Sequence, residues 1–139
     1  MVTELYEATK IASGTFVLDI ASFNFDEMIT DAVDTTRMLF PEFTIKVSGK
    51  GGNVTGDSYR LMQVVTNYLG NAVKYSGKDK TIELHAQADE ASITFSVIDN
   101  GIGIPEKQLP YIFERFFRAE KTKDIEGLGM GLFFCKRIV

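Results

Sequence analysis

Three stretches of this sequence carry polar or backbone groups that their local surroundings do not call for. Asn67 and Asn71 lie four residues apart with Lys74 three further on, so a helix would project all three from neighbouring turns on nearly one side. Asparagine is a poor helix former, and two of them in an otherwise apolar helix are costly unless they are used. Their amide oxygens could gather around a hydrated magnesium ion while Lys74 reaches a phosphate. The same pair would serve equally as ordinary solvent-facing or locally bonded amides.

Asp99-Asn100-Gly101-Ile102-Gly103 joins a carboxylate to two glycines spaced by one residue, which lets backbone approach a flat ligand. An ionised Asp only accepts hydrogen bonds and would suit the exocyclic amine of a purine. An ordinary tight turn would look the same. Gly127-Leu128-Gly129-Met130-Gly131 is the stronger signal, because alternating glycines that run into a helix turn N–H groups toward an anion. Neither stretch is a P-loop or a G-x-G-x-x-G dinucleotide turn.

The elements that must position these groups follow from periodicity. Apolar residues Leu61, Val64, Val65, Tyr68, Leu69 and Ala72 predict a helix from Asp57 or Ser58 to Tyr75. Phe16, Leu18 and Ile20 alternate in a strand pattern, and Asn24 is placed to cap a helix whose face carries Met28, Ile29, Ala32, Val33 and Leu39, ended by Pro41. Thr44–Val47 is a short strand before a turn at Gly49–Asn53. Ser76–Asp79 turns into two strands, Thr81–Ala88 and Ala91–Ile98, joined by an Asp89-Glu90 link. Residues 1 to 14 have the spacing of a helix tail ended by Gly14, and Met130–Val139 that of a final helix.

Phe113, Phe116 and Phe117 read as core, and Arg118 either faces solvent or swings toward a terminal phosphate. His85 reads as a strand surface or edge residue, and Cys135 as packing. Composition is that of one globular domain: 139 residues, 45% hydrophobic and 24% charged. With Lys+Arg at 15 against Asp+Glu at 19 and no basic block, no general nucleic-acid surface is indicated. One Cys and one His cannot make an intrachain disulfide or a zinc site, and the lone Cys points to a reducing compartment. No membrane span or signal peptide is apparent.

Taken in order, Asn67-x-x-x-Asn71-Ala72-x-Lys74-Tyr75, Asp99-x-Gly101-x-Gly103-Ile104-Pro105, Ile112-Phe113-x-x-Phe116-Phe117-Arg118 and Gly127-x-Gly129-x-Gly131-Leu132 resemble the N, G1, F and G2 boxes of the ATP-binding catalytic domain of bacterial two-component sensor histidine kinases. The likeness covers about residues 16 to 139. It implies the α/β sandwich shared with type II topoisomerases, Hsp90-like chaperones and MutL-like proteins: a mixed β-sheet covered on one face by helices, with a mobile ATP lid over about residues 105 to 128. On this resemblance ATP and Mg2+ are the ligands. Asn71 coordinates the metal with support from Asn67, Lys74 contacts phosphates, and Tyr75 lies near the nucleoside. Asp99 accepts from adenine, with Gly101 and Gly103 shaping its pocket. Arg118 addresses the γ-phosphate, and Gly127, Leu128, Gly129, Met130, Gly131 and Leu132 form the phosphate-facing turn, with Asn67, Lys74 and Arg118 as the catalytic set.

The chain departs from the family where Leu128 and Met130 replace a common Thr and Leu, so a lid hydroxyl is lost. It also lacks the family's phospho-accepting histidine, which lies on a separate dimerisation helix. Residues 1 to 14 resemble the end of that helix or its linker. Two strands that follow in the family after Lys136 and Arg137 are missing, which implies a catalytic domain (15–139) without its last strands. ATP-hydrolysing relatives carry a glutamate at the position of Asn67, and an amide is no general base. The resemblance therefore implies a protein histidine kinase domain, inactive without its acceptor. Its expected partners are the dimerisation domain of a homodimeric parent and a response regulator receiver domain, with no nucleic acid and no membrane contact by this segment. It would form the cytoplasmic part of a membrane-bound sensor. The competing function is a nucleotide-binding module or pseudokinase that transfers nothing.

Overall fold

The computed structural model describes residues 17–122, Ile125 and residues 127–139; the helix tail expected over residues 1 to 14 lies outside them. The described elements run β1 (Ala21–Asn24), α1 (Phe25–Leu39), β2 (Thr44–Lys50), β3 (Asn53–Gly56), α2 (Ser58–Tyr75), β4 (Thr81–Ala88) and β5 (Ile93–Asp99), then two 3-10 turns at Glu106–Tyr111 and Glu120–Thr122, and α3 (Gly131–Ile138). The chain divides into two compact units, Ile20–Gly103 and one to which Ile104–Val139 belong.

In the Ile20–Gly103 unit, β4 is the central strand of a mixed sheet, parallel to β2 and antiparallel to β5. Strand alternation decides its two faces: Ile82, Leu84 and Ala86 of β4 are buried while Glu83, His85 and Gln87 are exposed. Both helices cover the buried face. Phe25, Met28, Ile29, Ala32 and Val33 of α1 and Val65, Leu69 and Ala72 of α2 join Ile45, Ile82 and Leu84 in one core. Each fully buried aliphatic side chain there contributes roughly 1.5–3 kcal/mol. Asn24 caps its helix as the sequence predicts, its Oδ1 accepting from the Glu27 amide at 3.1 Å, and Asp57 caps the other, its Oδ1 accepting from the Arg60 amide at 3.0 Å. Leu39 does not share the buried face; it is the last helical residue and stays exposed.

Several elements differ from the expectation, among them β2, which runs on to Lys50 rather than ending at Val47. The first strand starts at Ala21, with Leu18 and Ile20 exposed in irregular chain, because its partner β3 reaches only Asn53–Gly56 and pairs Ala21 with Gly56. Strand β3 itself was not foreseen: Val54 is its only large apolar residue, too little for a pattern. The hairpin link is longer than two residues because Asp89 Oδ1 gathers the amides of Ala91 and Ser92, both at 2.8 Å, so pairing resumes only at Ile93. Those same bonds, Ala91's foremost, hold the Asp89 carboxyl below its ordinary value.

Candidate functional site

The C-terminal end of α2 and the exit of β5 meet in the Ile20–Gly103 unit, and their meeting places Tyr75 beside Asp99-Asn100-Gly101. Gly101 bridges Ser76, and the Ile102 amide donates to the Tyr75 carbonyl at 3.1 Å. Asp99 ends β5 with an exposed side chain whose Oδ1 accepts from the Gly101 amide at 2.8 Å. Its other oxygen, Oδ2, has the lone pairs to accept from a ligand amine. A Cβ on residue 101 would stand 2.4 Å from the Tyr75 carbonyl oxygen and 2.5 Å from Asp99 Oδ1. What demands a glycine at residue 101 is the protein's own backbone at Tyr75 and the Asp99 side chain, whereas at Gly103 nothing lies within 4 Å and its left-handed φ of 64° favours glycine.

Asn67, Asn71 and Lys74 are all half-buried on α2, on the side the spacing predicts. Asn71 Nδ2 donates to Asn67 Oδ1 at 3.2 Å, which leaves the Asn71 carbonyl oxygen directed away from its neighbour. Among the described residues no group of three His, Cys, Asp or Glu could hold a metal. A single uncharged amide oxygen fits an ion that keeps several waters and takes its other ligands from phosphates, which is the habit of Mg2+. Lys74 Nζ stands 5.0 Å from the Tyr75 ring centroid, so the ring face holds the ammonium near the same helix end.

Asp79 and Asn100 are the additions that sequence reading missed, having taken Asp79 only as part of a turn. The Asn100 amide donates to Asp79 Oδ2 at 2.9 Å, and the Thr81 amide to Oδ1 at 2.9 Å. Hydrogen bonds from Thr81, then that from Asn100 and the charge of Lys46, hold the Asp79 carboxyl below its ordinary value of 3.8, so it is ionised at neutral pH. An Asp two residues ahead of a strand, paired with an Asn just after the partner strand, is a signal visible in sequence only once the pairing is known.

In the unit holding Ile104–Val139, the aromatics are arranged around α3. Arg115 lies over the Phe133 ring at 4.7 Å and Lys136 over the Phe113 ring at 5.8 Å, and Tyr111 packs on Phe117 at 6.1 Å. Phe116 departs from the expected core role: it is 61% exposed and has a left-handed φ of 61°. That backbone turn rotates its ring outward and delivers the Phe117 carbonyl toward Gly129, whose Cβ would stand 2.5 Å from it. Arg118 is turned onto its own segment, donating to the Thr122 carbonyl at 2.6 Å and to that of Ile125. To reach a phosphate it would exchange those carbonyls for a charged partner. Gly127, Leu128 and Gly129 lead into α3, which starts at Gly131 with Met130 in the cap position and no side-chain cap bond; Leu132 follows within the helix. Cys135 is only 3% exposed on α3, and burial raises its thiol from 9.0 to about 11. Alkylation by iodoacetamide at pH 8 should therefore be much slower than for a free thiol and accelerate as pH rises toward that value or on unfolding, checked by mass spectrometry with and without urea.

Residues 56–139 match the family model described as histidine kinase-, DNA gyrase B- and HSP90-like ATPase, a span that includes Asn67, Asn71, Asp99 and the glycines through 131. The chain is 35% identical to the sensor protein KdpD of Clostridium acetobutylicum over 143 residues, covering 100% of this chain and 16% of that protein. It is 29% identical to the signal transduction histidine-protein kinase ArlS of Staphylococcus haemolyticus, covering 100% of this chain and 32% of that one. The chain thus spans about a third or less of the length of these relatives. Among solved structures, the mycobacterial sensor histidine kinase MprB superposes with a TM-score of 0.73 at 28% identity, over 88% of this chain and 78% of that one. Among the described residues no helix is long and apolar enough to cross a membrane.

Proposed function

Since the chain belongs to the family of histidine kinase-, DNA gyrase B- and HSP90-like ATPases, we propose that it binds ATP with Mg2+ and acts as the catalytic domain of a sensor histidine kinase. The observation that carries the reading is the tight Tyr75–Gly101 junction, which presents the Asp99 carboxylate where a purine amine can meet it. Asp99 accepts that amine while Gly101 and Gly103 admit the base, and the Tyr75 ring flanks the nucleoside. Asn71 offers the metal an amide oxygen and Asn67 orients that amide through their mutual hydrogen bond. Bound Mg2+ would neutralise phosphate charge and fix the phosphate chain. Lys74 and, once released from its backbone carbonyls, Arg118 supply positive charge toward the phosphates, and the backbone of Gly127, Leu128, Gly129, Met130, Gly131 and Leu132 supplies neutral donors.

Transfer rather than hydrolysis follows from Asn67, whose amide cannot take a proton from water. In the step served here, an imidazole nitrogen forms the P–N bond as the bond to the ADP oxygen breaks, and the ring then releases its proton. His85 is not that imidazole: it lies in mid-strand on β4, with Nδ1 hydrogen-bonded to Ser48 at 3.0 Å. The acceptor belongs to a separate dimerisation domain of a homodimeric, membrane-bound parent, and the phosphoryl group passes on to a response regulator.

Titration of the chain with a non-hydrolysable ATP analogue and Mg2+ should give saturable heat, and Asn71→Ala should weaken it about tenfold. With γ-labelled ATP the chain alone should stay unlabelled, and label should appear on an added histidine-bearing dimerisation domain. A folded sample that shows no binding at millimolar nucleotide would refute the reading. Binding without transfer to a competent acceptor would instead leave a nucleotide-binding module.

A further inference from the structure

We propose that Asp79 is a positioning residue for the purine end of this site: through the Asn100 side-chain amide its carboxylate holds the Asp99–Gly101 turn so that Asp99 faces an exocyclic amine. The inference rests on the nucleotide reading above and extends it to a pair of residues outside the four motifs' recognised roles. The turn has two anchors. On one side stands the end of α2, through the Ile102 amide on the Tyr75 carbonyl and the bridge of Gly101 to Ser76. On the other side stands Asp79, which takes the Thr81 amide on Oδ1 and the Asn100 amide on Oδ2.

Thr81 opens β4, and the register sets its neighbour Ile82 opposite Asp99. The Asp79 carboxylate therefore clamps the entry of one strand to the residue that follows the exit of its partner. Asp99 itself is exposed, so packing does not fix its carboxylate; its orientation depends on the turn that carries it, through the Gly101 amide on Oδ1. An ionised acceptor makes the Asn100 bond charge-assisted, and with both oxygens of Asp79 engaged the Asn100 amide has a defined direction. Without that bond the turn beyond the Ile82–Asp99 pair keeps only the α2 anchor, and the Asp99 side chain samples directions in which no amine reaches it.

The competing explanation is that Asp79 merely closes the turn before β4 through Thr81. Asn100→Asp separates the two, since it leaves the Thr81 bond in place and sets a second carboxylate against Asp79. The double variant D79N/N100D restores an amide–carboxylate pair in reverse. The probes are ADP and inosine diphosphate, whose base has a carbonyl in place of the exocyclic amine, each titrated with Mg2+ into the whole chain. We expect the wild type to prefer ADP. Asn100→Asp should weaken ADP about fivefold and inosine diphosphate less than twofold, with the thermal midpoint moved by no more than about 2 °C, and D79N/N100D should recover most of the preference. Equal weakening of both nucleotides, unchanged ADP affinity in Asn100→Asp, or a folded double variant without recovery would overturn the positioning role. A folded wild type that binds neither nucleotide would overturn the nucleotide reading and this role together, whereas loss confined to the variants' pattern leaves that reading standing.

Discussion

Gly101→Ala is expected to reduce ADP affinity at least about a hundredfold while the protein still unfolds in one cooperative transition. The effect comes from space rather than from backbone freedom. A methyl group at residue 101 would sit 2.4 Å from the Tyr75 carbonyl oxygen and 2.5 Å from Asp99 Oδ1, both well inside contact distance. The carbonyl cannot retreat cheaply, because it accepts from the Ile102 amide at the end of α2. The carboxylate can, and in doing so it loses the Gly101 amide and turns from the position in which it would receive adenine. The damage is therefore concentrated on the one side chain assigned to the base, while Leu69, Ile82 and Leu84 in the core are untouched. Gly70→Ala is the matched control: nothing lies within 4 Å of its Cβ position, and it sits inside α2. That change should leave ADP binding intact and add roughly 0.5–1 kcal/mol of stability through helix propensity. Calorimetric titration and urea melts of both variants decide the matter; ADP affinity of Gly101→Ala within threefold of wild type would remove the turn from the purine site.

The sequence made α2 and the sheet's central hairpin legible because their signals are long and redundant. Eighteen residues with a sustained apolar face and an Asp at the cap leave little room for another reading of Ser58–Tyr75. The alternation of Ile82, Leu84 and Ala86 against Glu83, His85 and Gln87 does the same for β4. Strand β3 was illegible for the opposite reason: four residues with one large apolar side chain acquire their strand character from pairing with β1, a long-range fact. In the site, Asn67, Asn71, Asp99 and Gly101 were each ambiguous alone, and the local geometry of two elements brings them into one unit. Asp79 escaped notice because its work is done across a gap of 21 residues, on Asn100. Phe116 reads as core because hydrophobicity predicts burial, whereas its left-handed backbone accompanies a ring that faces outward.

That left-handed backbone leads to the second large effect, Gly129→Ala, which should leave ADP affinity within a few fold and abolish both the added affinity for an ATP analogue and transfer to an acceptor domain. Two constraints meet at this residue. Its φ of 69° favours glycine, and replacing it there costs about 1 kcal/mol by backbone preference alone. The steric term is larger, because a Cβ would stand 2.5 Å from the Phe117 carbonyl oxygen and 2.9 Å from the Phe116 carbonyl carbon. Phe116 is the only non-glycine with positive φ among the described residues, and its ring is too exposed for burial to sustain that conformation. The close packing of the 116–117 segment against residue 129 helps hold its backbone, beside the Phe117 amide's bond to the Glu114 carbonyl. Pushing the two apart releases Phe116 toward ordinary φ, and Arg118, two residues on, moves with it. The glycine turn ahead of α3 is displaced by the same contact, so the proposed donors to the terminal phosphate are lost together. The assigned purine contacts at Asp99 and Gly101 are far along the chain from this contact, which is why ADP is expected to be spared. Hydrogen exchange over residues 116–122 should speed up in Gly129→Ala both without nucleotide and with the analogue. Wild-type transfer rates in this variant, or an equal loss of ADP and analogue binding, would show that the Phe116–Gly129 contact does not organise the phosphate-facing groups.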